Sequence, residues 1–314
     1  MKSTPKIIKE IQQHKAQEID YSFQKSISYS QMSMYLSCPH KWNLQYKEGL
    51  KEPVNSVNLI FGTAIHETLQ HYITVLYEQS GAEADRINLE DYFHEKFTGE
   101  YKKQYEKNAK IHFSSPKELN EFYEDGINII DYFKKKRSEH FSKKGWHLVG
   151  CEIPVVITPN NQYKNVVYNG FLDLVLYHEP TNTFKIIDFK TSTRGWNDEA
   201  KKSEDKQFQL ILYKIFLSQI FNIPIDSIEI EFIILKRKLW EKSDYPQSRI
   251  QTFSPPSGKI KAKKTVDALN KFITSVFELD SSYKNQVFEK KPSKSNCMFC
   301  PFKDNETLCD KNVS

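Results

Sequence analysis

Long apolar runs are missing from this chain of 314 residues. No stretch reaches the roughly 18 apolar residues that a membrane-spanning helix needs. The first residues, MKSTPKIIKEIQQHKAQE, are charged throughout and hold no apolar segment of the kind a secretory signal requires. A cytoplasmic protein with no membrane association is therefore expected. Glycine is scarce, at 10 residues, and neither a GxxxxGK[ST] loop nor a GxGxxG turn occurs. That argues against nucleotide-driven motors and dinucleotide enzymes, so no nucleotide cofactor is expected and any motor must be a separate chain. Arginine is scarce too, with 5 among the 45 basic residues. Lysine supplies point charges for phosphates but not the bidentate fork that reads bases. If the ligand is nucleic acid, backbone contacts and weak sequence preference follow. The net charge of +5 permits such a ligand without requiring it. Cysteine is limited to 5 residues, an odd number that argues against a disulfide framework.

What is present is a globular composition. Hydrophobic residues make up 39 %, charged residues 27 %, and 21 Phe with 17 Tyr supply material for a core. Residues 1–27 read as a polar arm with a short helical pattern at Ile7, Ile8 and Ile11. SYSQMSMYLSCPHKWNLQY (28–46) reads as a helix capped at Ser30 and kinked or restarted at Pro39. A second helix follows in NLIFGTAIHETLQHYITVLYEQ, with Ile65, Leu69, Tyr72, Ile73 and Leu76 as its stripe. Helical patterning continues through 88–142, broken at SerSerPro 114–116. From Trp146 the pattern changes to strands: WHLVGCEIPVVI, VVYNGFLDLVLYH and FKIIDFK, separated by turn residues. A helix (EDKQFQLILYKIFLSQIF), a strand (SIEIEFIILKRK) and a further helix from Lys259 complete the order. This is an α/β (α+β) arrangement with a mixed central sheet behind an N-terminal helical subdomain. We divide it into an arm (1–27), a helical region (28–145), a sheet-bearing core (146–290) and a cysteine tail (291–314), with 28–309 forming one compact unit.

The most informative stretch is 170–190. Asp173 lies in FLDLVLY and Asp188 in IIDFK, both otherwise apolar strands. A buried carboxylate without a partner is costly. A symmetric hairpin centred between Pro180 and Thr181 sets Asp173 directly opposite Asp188, with Cβ atoms about 4.5–5.5 Å apart. Two carboxylates so placed repel unless a cation lies between them, and such oxygen ligands suit Mg²⁺ or Mn²⁺. Lys190, two residues beyond Asp188, projects on the same face and can orient or polarise an attacking water. A one-residue slip would destroy the arrangement. The alternative is a solvated sheet face, which an isolated D…DxK pattern alone would favour.

Five ordered motifs shift that balance. The Ser-x-Ser and Cys-Pro of residues 28–46, GxxxH in FGTAIHETL, GxxD in GFLDLV, DxK in IIDFKTS and QxxxY in QLILY resemble the PD-(D/E)XK nuclease superfamily. The resemblance is to its RecB-like, CRISPR-associated-exonuclease-like branch, and CMFCPFKDNETLC resembles that branch's terminal cysteines. It spans Ser28 to Cys309 and implies a restriction-endonuclease-like core. It also implies a catalytic metal held by His66, Asp173 and Asp188 with the Phe189 carbonyl, Lys190 assisting the water, and Gln209 and Tyr213 lining the site. Gln209 and Tyr213 are four residues apart, so they share a helix face. Glu67 reads as a solvated neighbour of His66. Glu152 reads equally as an extra acid or an exposed strand residue.

Cys297, Cys300 and Cys309 supply three thiolates, and the resemblance makes Cys38 the fourth. It implies a [4Fe–4S] cluster, whereas the spacing alone serves structural Zn²⁺ equally. Cys151 reads as a small buried hydrophobe. The resulting expectation is a Mg²⁺- or Mn²⁺-dependent deoxyribonuclease. It would act as an exonuclease on single-stranded or end-bearing DNA in replication, recombination or repair. A non-catalytic DNA-end-binding subunit serving a separate helicase or recombination partner is the alternative. Lys236, Arg237 and Lys238, and Lys259, Lys261, Lys263 and Lys264, are candidate phosphate contacts.

Overall fold

A computed structural model describes residues 4–50, 56–240 and 242–310. The chain opens with α1 (Lys6–Gln13), the short β1 (Lys25–Ile27), α2 (Tyr29–Ser37) and α3 (Pro39–Trp42). Four helices follow: α4 (Val57–Glu78), α5 (Gly81–Arg86), α6 (Leu89–Lys107) and α7 (Pro116–His140). Then come β2 (Trp146–Ile157), β3 (Val166–His178), β4 (Thr183–Ser192), α8 (Asp198–Lys202) and α9 (Glu204–Phe221). The order closes with β5 (Ile228–Lys236), β6 (Ile250–Phe253), α10 (Lys259–Val276) and α11 (Lys294–Cys297). Among the described residues no helix is long and apolar enough to cross a membrane.

The six strands form one mixed sheet. β2, β3 and β4 make an antiparallel meander, β4 and β5 run parallel, and β6 returns antiparallel to β5. The parallel β4–β5 pair needs a crossover, and α9 supplies it. Residues 208 and 210–217 of α9 are all buried, so this helix is apolar nearly all round and lies inside the molecule. The sheet is covered on both sides. One apolar cluster joins α1, α2, α9 and α10 to residues such as Val175, Ile186, Ile230 and Phe232. The other joins α4, α6 and α7 to Leu174, Leu176, Ile187, Phe189 and Ile233. Period-two alternation along β4 sends Ile186 to one cluster and Ile187 to the other.

Three local expectations differ from the structure. The segment read as an arm packs on the core: Ile8 and Ile11 are buried, and β1 pairs in parallel with the start of β3. Ser28, not Ser30, caps α2, accepting from the Gln31 N–H at 3.3 Å. The chain does restart at Pro39, which opens α3. β6 has no counterpart in the sequence pattern, because a four-residue edge strand offers almost no periodic signal. The break at 114–116 is a helix start in which Ser115 caps α7 and Pro116 takes its first position.

Candidate active site

The β3–β4 hairpin has the register expected from its turn. Leu174 faces Ile187, Val175 faces Ile186 and His178 faces Thr183. Asn182 takes the left-handed conformation that closes the turn (φ 51°). The ladder stops at Leu174–Ile187, one step short of Asp173 and Asp188, whereas β4 stays paired with β5 as far as Ser192. The two strands therefore fork at the two aspartates. Asp173 bridges the fork, its Oδ2 accepting the Phe189 N–H at 3.0 Å. Asp188 is fully buried, and its Oδ1 has no hydrogen-bond partner. Lys190 approaches as an ion pair, with Nζ 2.5 Å from Asp188 Oδ2. His66, on α4, reaches the same place, with Nδ1 3.6 Å from Asp173 Oδ2 and its ring 5.9 Å from that of Phe189.

The electrostatics follow from burial. Desolvation lifts both carboxyls to about 6, and the charge of Asp173 adds to the effect at Asp188. Desolvation, helped by the Lys190 ammonium, pushes His66 down to about 4, so its imidazole is neutral at pH 7 and free to ligate. Two adjacent buried carboxylates, one of them with an oxygen that lacks a donor, beside a neutral imidazole suit a hard divalent cation in chemistry. Among the described residues no three His, Cys, Asp or Glu side chains converge into a closed metal cluster. His66, Asp173 and Asp188 are neighbours at the fork rather than a tightened ligand set.

Gln209 and Tyr213 lie on α9 and are hydrogen-bonded to each other, Gln209 Nε2 donating to Tyr213 Oη at 3.3 Å. Tyr213 is buried, and burial, followed by the nearby carboxylates Asp188 and Asp173, raises its hydroxyl pKa above the usual range. Gly170 explains itself sterically: a Cβ there would meet Tyr168 at 3.1 Å and Tyr213 at 3.3 Å. A cleft lined by Tyr29, Lys190, Trp196, Lys206 and Gln209 opens beside the fork. Glu67 is an ordinary surface acid, paired with Lys96 at 3.1 Å.

Two further residues neighbour the aspartates: Glu152, left open in the sequence between an extra acid and an exposed strand residue, and Gln70, which emerges only from the structure. Glu152 is exposed, adopts a left-handed backbone (φ 51°), and stands where a β2–β3 pair with Asp173 is missing between Cys151–Leu174 and Ile153–Leu172. Gln70, one helical turn after His66, donates to Glu152 Oε1 at 2.6 Å and to the Asp173 carbonyl at 3.0 Å. Its signal in the sequence is a lone amide in the apolar stripe of α4, and it is buried there.

The four cysteines of the expected cluster line one cavity between α3 and the tail: Cys38, Cys297, Cys300 and Cys309, with His40 and Lys41. Asn296 ties the two segments, donating to the Ser37 carbonyl at 2.9 Å and accepting from the Ser37 hydroxyl at 2.8 Å. His40 Nε2 lies 2.7 Å from the Leu308 carbonyl. Cys151 stands apart beside Thr74, and burial raises its thiol to about 11.

Most of the basic candidates are otherwise engaged. Arg237 is buried, pairs with Asp125 at 2.9 Å and lies 3.8 Å from the ring of Phe122, so it is not a phosphate contact. Lys238 pairs with Glu121 and Asp125, Lys261 and Lys264 with Glu204, and Lys263 with Asp267.

Fold and fork together define a class: a mixed sheet whose central strands bring an acid pair and a lysine together at a fork beside a cleft. A profile of the PD-(D/E)XK nuclease superfamily matches residues 26–305. The chain belongs to that superfamily. Membership implies a metal-dependent nuclease, a phosphodiester hydrolase for which Mg²⁺ or Mn²⁺ is the typical cation. A search of curated proteins found no match.

Proposed function

We propose that this chain is a divalent-metal-dependent exonuclease of the RecB-like branch, acting on single-stranded or end-bearing DNA in replication, recombination or repair. The observation that carries the reading is the fully buried Asp188 carboxylate, with Oδ1 lacking a donor and Oδ2 2.5 Å from Lys190, placed across a strand fork from Asp173. His66, Asp173, Asp188 and the Phe189 carbonyl would hold the cation. It would supply Lewis-acid polarisation of a phosphate oxygen and ease deprotonation of water. Lys190 projects from the same strand face as Asp188, where its ammonium orients the attacking water and offsets charge growing on the phosphoryl group. Gln209 faces the same cleft and is placed to hydrogen-bond a backbone phosphate, while Tyr213 fixes its side chain. Cys38, Cys297, Cys300 and Cys309 would hold a structural [4Fe–4S] cluster, with Zn²⁺ the competing occupant. Their shared cavity supports a staple between α3 and the tail that closes most of the chain into one loop.

The test combines metal content with cleavage. Protein purified without oxygen is examined for visible absorption, iron and zinc. End-labelled single- and double-stranded DNA is then incubated with Mg²⁺ or Mn²⁺ and wild type, Asp188→Ala or Lys190→Ala. We expect a brown protein that degrades DNA from ends, with both variants inactive but still brown. A colourless, zinc-containing protein that cuts would keep the nuclease and discard the cluster. Binding without cleavage by wild type would promote the alternative DNA-end-binding subunit.

A further inference from the structure

Beyond the end of β4 the chain builds a second feature that the hydrolytic residues do not use. The parallel β4–β5 ladder closes at Ser192–Lys236. Past it, the N–H groups of Arg237 and Lys238 donate to the carbonyls of Ser192 and Thr193 at 2.9 and 2.8 Å. Arg194 and Trp240 thus leave from the same end of neighbouring strands. Arg194 is four residues past Lys190, about 13 Å along an extended chain. The Arg194 guanidinium lies 4.3 Å from the centroid of the Trp240 ring. Trp240 is nevertheless 63 % exposed, so much of the indole is left to solvent. An open cavity beside it is lined by Arg194, Lys238, Leu239, Trp240 and Lys242, with no carboxylate among them. Arg194 and Lys242 make no ion pair among the described residues, while Lys238 is engaged by Glu121 and Asp125.

Both supports are held from the main chain. The Gln247 side chain accepts from the Trp240 N–H at 2.8 Å and donates to the Trp240 carbonyl at 2.6 Å. Gln251 clamps Trp196 in the same way, at 2.7 and 3.0 Å, and so fixes the loop that carries Arg194. A single exposed tryptophan needs no explanation. An exposed tryptophan with a cation at its ring, its main chain clamped, at the rim of a basic cavity near a nuclease centre does have one. Aromatic faces bind unpaired bases by stacking, and neighbouring cations bind the phosphates between them. Paired bases are already stacked within the duplex and do not offer their faces.

We propose that Trp240, with Arg194 and Lys242, forms a base-stacking subsite for single-stranded nucleic acid beside the hydrolytic centre. This deepens the nuclease reading and rests on it. The test measures anisotropy of labelled 15-mers (oligo-dT, oligo-rU and a blunt DNA duplex) in EDTA with wild type, Trp240→Ala and Trp240→Phe. Cleavage in Mn²⁺ and thermal midpoints are read in parallel. Stacking on one aromatic predicts roughly a ten-fold loss of single-strand affinity for Trp240→Ala. Trp240→Phe should keep most of the affinity, and duplex binding should change less than about two-fold, because stacking on paired bases is not available to it. The preferred single strand, dT or rU, identifies the sugar. Wild-type cleavage with undiminished binding by Trp240→Ala would overturn the subsite and leave the nuclease standing. So would an equal loss on duplex and single strand at an unchanged thermal midpoint. Wild type that neither binds nor cuts any of the three would remove the nuclease reading itself.

Discussion

Replacing Asp188 by Asn should stabilise the metal-free protein at pH 8 while abolishing hydrolysis. Burial raises the Asp188 carboxyl from its ordinary value of 3.8 to about 6, and neighbouring Asp173 rises likewise. A folded pKa above the unfolded one means that the native state holds its proton longer. Stability is then fully present below about pH 4 and lost as pH rises through about 6. A shift of about 2 units corresponds to about 3 kcal/mol for Asp188, an upper bound because the two carboxyls titrate as a pair. In a chain of this size that is roughly 5 °C in Tm. The pH profile of wild type alone does not isolate this effect. His66, pushed down to about 4, contributes with the opposite sign, since its stability is lost as pH falls through the same window. The difference between the Asp188→Asn variant and wild type removes the histidine contribution except for the part that the Asp188 charge itself adds at His66. Lys190 loses its anion, but its side chain is 32 % exposed and keeps water. Thermal unfolding in EDTA at pH 4, 6 and 8 should therefore show no gain for the variant at pH 4 and the largest gain at pH 8. Millimolar Mg²⁺ or Mn²⁺ at pH 8 should close or reverse the gap, because a cation that binds only the native ionised pair stabilises wild type by mass action. A variant less stable than wild type by the same margin at every pH would refute the reasoning and make Asp188 a structural partner of Lys190.

Two further substitutions probe what supports the fork. Gln70→Leu keeps the helix and its approximate volume but leaves the Asp173 carbonyl and Glu152 without their amide; turnover at saturating DNA should fall about 10-fold or more, with the thermal midpoint little changed. Asp125→Ala strands the buried Arg237 between α7 and the end of β5 and should cost about 3–5 kcal/mol in urea unfolding; an unperturbed midpoint would show that Arg237 finds water instead.

The part of this site that could be read from the sequence is the part fixed by covalent spacing. Turn residues and alternation between Trp146 and Lys190 determine register, and register brings Asp173 and Asp188 to the same end of the β3–β4 ladder, one step past its last pair. Period 3.6 along α4 and α9 gives the faces of His66 and Gln209 in the same way. What escaped depends on contacts between distant segments. The burial of Ile8 and Ile11 depends on a sheet face that forms more than a hundred residues later, and nothing in their own neighbourhood distinguishes an exposed amphipathic turn from a docked one. Arg237 shows the converse. In LysArgLys it reads as surface charge, yet it is taken into the core because α7 brings Asp125 and Phe122 against it. Trp240 carries no periodic signal at all, since its position depends on loop backbone clamped by Gln247.

The departures from sheet regularity have a common centre. The β3–β4 ladder ends one residue before Asp173, and the lost bond to the Phe189 N–H is replaced by the Asp173 carboxylate. On the other edge of β3 the pair with Glu152 is absent, Glu152 is left-handed, and the Asp173 carbonyl is satisfied by Gln70 instead. Each departure is unfavourable for a strand considered alone, since ladder hydrogen bonds are given up and a non-glycine residue takes a positive φ. Together they free one residue of β3 from both neighbours and pass its polar groups to partners on other elements. One of those partners, Gln70, is on the helix that carries His66. The placement of His66 relative to Asp173 is thus set by hydrogen bonds that a regular sheet would have satisfied internally. That is why the fork occurs at Asp173 and not elsewhere along β3, and why local rules that describe the rest of the sheet fail there.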